Sequence, residues 1–144
     1  MPRLVQPPTL QISLSFLILV SQLYNNSLAD VGTAAQYRPP YLPTSCAGSN
    51  PAQFPSSNLF GAAGDGIWDN GASCGRQYLV RCISASRPGT CIPDQTIQIK
   101  IVDYALTSQS RPTVDATTIV LSSTAFATIA NSSAPSINIE FQQV

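Results

Sequence analysis

The sequence predicts a small, mainly β domain closed into a barrel, stapled by disulfides and carrying one short helix. Three observations predict it. Short stretches alternate apolar and polar residues with the period of a strand, one run alone has helical spacing, and the connections between them are rich in Pro, Ser and Gly. A chain of this size hides its sheet edges best by closing the sheet on itself, which favours a barrel over a sandwich.

Residues 1–29 read as a secretory signal peptide. Arg3 supplies a positive start, and the apolar run over 12–20 (ISLSFLILV) is far shorter than the roughly 20 residues a membrane helix needs. Ser27-Leu28-Ala29 offers small residues at a cleavage site, so the mature chain is expected to begin at Asp30, with no stable membrane insertion. Residues 30–144 then form a single domain that buries roughly two-thirds of its unfolded surface. With Arg3 removed, six basic residues face seven acidic ones. Nucleic acid and anionic membranes both call for a basic patch, and this composition argues against both. The sequence has no histidine, which removes the commonest general base and the commonest neutral metal ligand. A monomer without cofactors is expected.

The first strand is expected over 31–37 (VGTAAQY), ended by the prolines 39, 40 and 43, which cannot pair in a sheet interior. Residues 46–60 read as surface loop, with Ser56-Ser57-Asn58 placed to cap a helical turn running through Ala63. Residues 61–82 hold five glycines, the only Trp (Trp68) and two cysteines, and Asp65-Gly66 and Asp69-Asn70-Gly71 signal turns. A strand follows over 77–82, with Tyr78 and Val80 on one face. Residues 84–93 form a loop that Cys82 and Cys91 are close enough to clip. Residues 96–102 (TIQIKIV) make the cleanest strand, and 107–113 a polar loop. A short buried strand over 118–121 leads into a helix over 122–130, capped by Ser122 or Ser123, with Phe126, Ile129 and Ala130 on one side. Asn131-Ser132-Ser133 is an N-glycosylation sequon, and the last strand spans 136–142.

Four cysteines in a short secreted chain imply two disulfides, with three pairings open. Zinc is disfavoured, since the chain has no C-x-x-C pair and no histidine. Asp65, Asp69 and Asn70 do not match a calcium-loop spacing and read as turn formers. No metal site is expected. The sequence has no phosphate-binding glycine motif, no G-x-S-x-G and no Cys/His pair for nucleophilic catalysis. Arg76, Arg81 and Arg87 read as separate solvated charges.

The runs GTAAQYRPPYLPTSC, DGIWDNGASCGRQYLVRC, TIQIKIVDY, LSSTAFATIA and INIEFQQV resemble, in order, the plant natriuretic peptide-like proteins, which carry an expansin-type, family-45 endoglucanase-like domain. The resemblance implies a six-stranded double-psi β-barrel, without the second carbohydrate-binding domain of expansins. It implies the pairings Cys46–Cys74 and Cys82–Cys91, a third family bridge being absent where Gln77 and Ala105 stand. Related endoglucanases cut with paired carboxylates, one protonating the leaving oxygen while the other activates water or attacks. Here Val120 stands where the family's His-Phe-Asp motif ends in aspartate, and Ala35 replaces a family threonine.

Asp103 is the surviving groove carboxylate. It is either an acceptor for a sugar hydroxyl or a structural acceptor for backbone N–H groups. Tyr104, Tyr37, Tyr41, Tyr78 and Trp68 offer flat apolar faces for a glycan-binding groove. The resemblance therefore implies a secreted, non-enzymatic apoplastic protein that signals in water and solute balance and in stress or pathogen responses, through a cell-surface receptor. The alternative is a module that binds cell-wall polysaccharide without cutting it.

Overall fold

A computed structural model describes residues 29–144. The expected signal peptide, apart from Ala29, lies outside the described residues. Six strands, β1 (Asp30–Tyr37), β2 (Phe60–Ala63), β3 (Gln77–Ser84), β4 (Ile97–Tyr104), β5 (Ile119–Ser122) and β6 (Ile137–Gln143), close into one barrel in the order β1-β5-β2-β4-β3-β6. The pairs β1–β5 and β2–β4 are parallel and the other four are antiparallel. Among the described residues two short α-helices accompany them, α1 (Asp65–Trp68) and α2 (Ser123–Ile129).

Alternation in the sequence becomes inside and outside. Val80 on β3, Ile97, Ile99 and Ile101 on β4, and Ile137, Ile139 and Phe141 on β6 join one buried cluster with Ile119, Leu121 and Ala34. Each fully buried aliphatic side chain contributes about 1.5–3 kcal/mol. The helix α2 closes this core with Ala125, Phe126 and Ile129, and the Ser122 hydroxyl caps it by accepting from the Ala125 N–H at 3.2 Å. A second, smaller cluster of Tyr37, Phe60, Ala62, Val102 and Val120 is covered by Tyr41, Phe54 and Ala105.

Two expectations are corrected. Residues 60–63 are a barrel strand, not the end of a helical turn. Asn58 takes a left-handed φ of 60° and redirects the chain, so Ser56-Ser57-Asn58 turns it into β2 instead of capping a helix. The glycine-rich stretch also holds a second helix, α1, where turns alone were expected. Its turn signals do their work at the C-terminal end, where Asp69, Asn70 and Gly71 all adopt positive φ.

Candidate functional site

Pairing registers bring Ala35 (β1), Val120 (β5), Ala62 (β2) and Asp103 (β4) into one cross-strand row. All four are buried. Between Gly61↔Ile101 and Ala62↔Asp103 the register of β4 skips Val102, and this bulge sets Asp103 directly beside Ala62.

The Asp103 carboxylate is 0 % exposed. Its Oδ1 accepts the backbone N–H groups of Ser45 and Tyr104, both at 2.8 Å. Ser45 is held there by its neighbour Cys46, whose sulfur is bonded to that of Cys74. Among the described residues, Oδ2 and the buried Tyr37 hydroxyl have no hydrogen-bond partner within the protein. Burial raises the Asp103 pKa above the usual carboxylate value, against the opposing pull of the Ser45 and Tyr104 hydrogen bonds. Burial, reinforced by the charge of Asp103, likewise pushes the Tyr37 phenol far up.

The aromatic residues divide into two groups. Tyr37 is 1 % exposed, so it is not the open face expected of it. It packs edge-on against Tyr41, with ring centroids 4.9 Å apart, and Tyr41 packs edge-on against Phe60. The Tyr41 hydroxyl donates to the Tyr37 carbonyl and accepts from the Ser123 N–H. Tyr78 is buried and meets Phe141 edge-on. Alternation along β1 and β3 could place these rings on a face but could not show that the face was covered. Trp68 and Tyr104, by contrast, are half-buried and stack nearly parallel, 4.6 Å apart at 10°. The Tyr104 hydroxyl donates to Asp65, which raises the Tyr104 pKa.

Asp65 leads to an open cleft of about 570 Å³ whose floor includes Val120. Asp65, Leu106, Val114 and Asp115 line it nearer the surface, with Thr117 buried behind them. Leu106 is 76 % exposed there, and Asp115 pairs with Arg111 at 3.5 Å. No local sequence pattern marks this cleft, because loops distant in the chain assemble it. An isolated leucine in a polar segment was the only signal. Gly64 lines it too, and a Cβ there would lie 1.9 Å from the Thr117 carbonyl oxygen, so glycine lets the two loops meet.

The remaining singled-out residues lie elsewhere. Cys82 is bonded to Cys91. Arg76 pairs with Asp69 at 2.8 Å, Arg81 pairs with Glu140 across β3 and β6, and Arg87 sits in the loop that Cys82–Cys91 closes. Asn131 is exposed just past α2.

A family model described as lytic transglycolase matches residues 61–141, more than half of the chain. The chain is also 38 % identical over 117 residues to an EG45-like domain containing protein of Citrus jambhiri, covering 80 % of this chain and 82 % of that protein. It belongs to the EG45-like domain family. A second member, EG45-like domain containing protein 2 of Arabidopsis thaliana, is 29 % identical over 133 residues, 88 % of this chain and 94 % of its own. Among solved structures, the apo expansin of Clavibacter michiganensis superposes with a TM-score of 0.58 at 18 % identity, over 81 % of this chain. A mutant of that expansin in complex with cellohexaose superposes with a TM-score of 0.59 at the same identity and coverage. That likeness is one of fold, and the EG45-like chain spans half the length of those expansin chains.

Proposed function

We propose that this EG45-like protein is an extracellular, non-hydrolytic barrel that engages cell-wall polysaccharide along the cleft floored by Val120. The cross-strand row Ala35–Val120–Ala62–Asp103 carries the reading. Glycoside hydrolysis needs two carboxyl groups that reach the glycosidic bond from opposite sides. This row holds one carboxyl, and it is sealed under the surface with its Oδ1 taken by two backbone N–H groups. A valine cannot transfer a proton.

What remains is a binding surface. Asp65 and Asp115 can hydrogen-bond sugar hydroxyls, and Leu106 and Val114 can cover the C–H faces of the rings. The closed barrel leaves no free sheet edge, which favours a monomer. The test is titration with cellohexaose and with xylan fragments of similar length. Amide NMR shifts would be followed at residues 64–66, 105–106 and 114–118, together with the release of reducing ends. Localised shifts with intact oligosaccharide support the proposal; release of reducing ends sinks it.

A second reading makes the protein an extracellular signalling ligand of the natriuretic peptide-like kind, acting in solute balance or stress responses through a cell-surface receptor. The burial of Tyr37 and Tyr78 favours it, because it leaves no flat row of rings beside Asp103 for a glycan chain. Saturable binding to protoplasts stripped of their walls would support this reading over the first.

A further inference from the structure

We propose that Asn131 is an N-glycan acceptor whose first sugars lie in a cleft beside it. The inference rests on the extracellular part of the reading above. Asn131-Ser132-Ser133 is the one Asn-x-Ser/Thr sequence in residues 29–144. Asn131 is exposed, and its Oδ1 accepts from the backbone N–H and the hydroxyl of Ser133, at 3.0 and 2.9 Å. Among the described residues its amide nitrogen Nδ2 makes no hydrogen bond, so a bond formed there breaks nothing in the fold.

The backbone around it is anchored. The Asn131 N–H donates to the Thr90 carbonyl at 2.8 Å, and the Gln36 side-chain amide donates to the Ser132 carbonyl at 2.7 Å. A glycan at this position therefore leaves the protein in a defined direction. Next to it lies a cleft of about 610 Å³, between the loop closed by Cys82–Cys91 and the turn after α2. Ser86, Arg87 and Ser136 supply polar partners for sugar hydroxyls and amide groups, and Pro88 and Pro135 supply apolar faces. No residue lining it also lines the Val120 cleft, so a glycan seated here leaves the proposed polysaccharide site open.

The donor is an oligosaccharide held on a lipid pyrophosphate, and a secretory-pathway transferase joins it to the unfolded chain. Nδ2 attacks the anomeric carbon, the C–N bond forms and the C–O bond to pyrophosphate breaks. The lipid pyrophosphate leaves with the electron pair, and Nδ2 gives one proton to a base of the transferase. The fold then accommodates the product.

The test expresses the full 144-residue chain in plant cells and collects the culture medium. Intact mass and peptide mapping before and after release by a peptide N-glycosidase in heavy-oxygen water are expected to tag position 131. Asn131→Gln and Ser133→Ala are expected to lose the added mass, and Ser133→Thr to keep it. Secreted protein with unmodified Asn131 overturns the proposal and leaves the extracellular reading standing. Chain retained in the cells with residues 1–29 attached overturns both. Slower amide exchange at residues 86–90 in the glycosylated protein than in the released one is expected from the seating, and equal exchange overturns it.

Discussion

Val120 and Asp103 lie in one cross-strand row with only Ala62 between them. At strand spacing this places their backbones about 10 Å apart. That is close to the separation of about 6.5–9.5 Å between the carboxyl groups of inverting glycosidases. In this row Asp103 supplies a carboxyl group and Val120 does not.

Val120→Asp tests that statement. It puts a second carboxyl in the row, 1 % exposed in the parent fold and without a hydrogen-bond donor arranged for it. We expect a loss of about 2–4 kcal/mol in urea unfolding and no release of reducing ends from cellulose or xylan. Hydrolysis by this variant would show that Asp103 is chemically accessible to substrate.

Asp103→Ala removes the acceptor of two backbone N–H groups at the end of β4 and is expected to cost about 2–4 kcal/mol. Asp103→Asn keeps an oxygen for those donors and should cost far less. The pH dependence has a definite sign. The folded pKa of Asp103 lies above its unfolded value, so the folded state binds the extra proton. The stability Asp103 contributes is therefore fully present below the unfolded carboxylate pKa and declines as pH rises through the folded one. The asparagine variant, unable to ionise, should gain on the parent as pH rises from acid to neutral. Unfolding midpoints that move in parallel for the two proteins would contradict the shift.

Tyr104 gives an independent titration. Its hydrogen bond to Asp65 favours the neutral phenol, so its pKa lies above that of a free tyrosine. The contribution of this bond is present below the unfolded phenol pKa and lost as pH rises through the folded one. Asp65→Asn is expected to lower that pKa, read by phenolate absorbance. Because Trp68 stacks on Tyr104, its fluorescence should change in the same pH range. An unaltered Trp68 signal through the phenolate transition would argue against the stack.

The two disulfides close loops of different length, with sequence separations of 28 and 9. On the chain-entropy model Cys46–Cys74 contributes about 3–4 kcal/mol and Cys82–Cys91 about 2–3 kcal/mol. Paired Cys→Ser variants measured by denaturant unfolding should rank in that order, with the first also loosening Ser45 from Asp103. The reverse ranking would mean that the loop over 83–90 is held mainly by its bridge.

Much of the barrel was legible from alternation alone. Ile97, Ile99 and Ile101, and Ile137, Ile139 and Phe141, each point inward at a period of two and occupy the core. β2 was not legible, because Phe60-Gly61-Ala62-Ala63 is buried on both faces, too short to show a period and half made of alanine. The candidate site was legible only in part. Val120 and Ala35 stood out by residue type, but the burial of Tyr37 depends on Tyr41 and Phe60 arriving from other segments. The cleft joins residues 64–66, 105–106 and 112–118, and no local pattern encodes their meeting.

The most direct test of the central claim is a co-sedimentation isotherm of residues 30–144 on insoluble cellulose, xylan and whole cell-wall fractions. Leu106→Ser serves as the cleft variant, since Leu106 is exposed and its replacement leaves the core untouched. Saturable retention is expected on at least one wall polysaccharide, weakened about tenfold by Leu106→Ser, which corresponds to about 1.4 kcal/mol. Retention of the parent no greater than that of the variant on every fraction would contradict it.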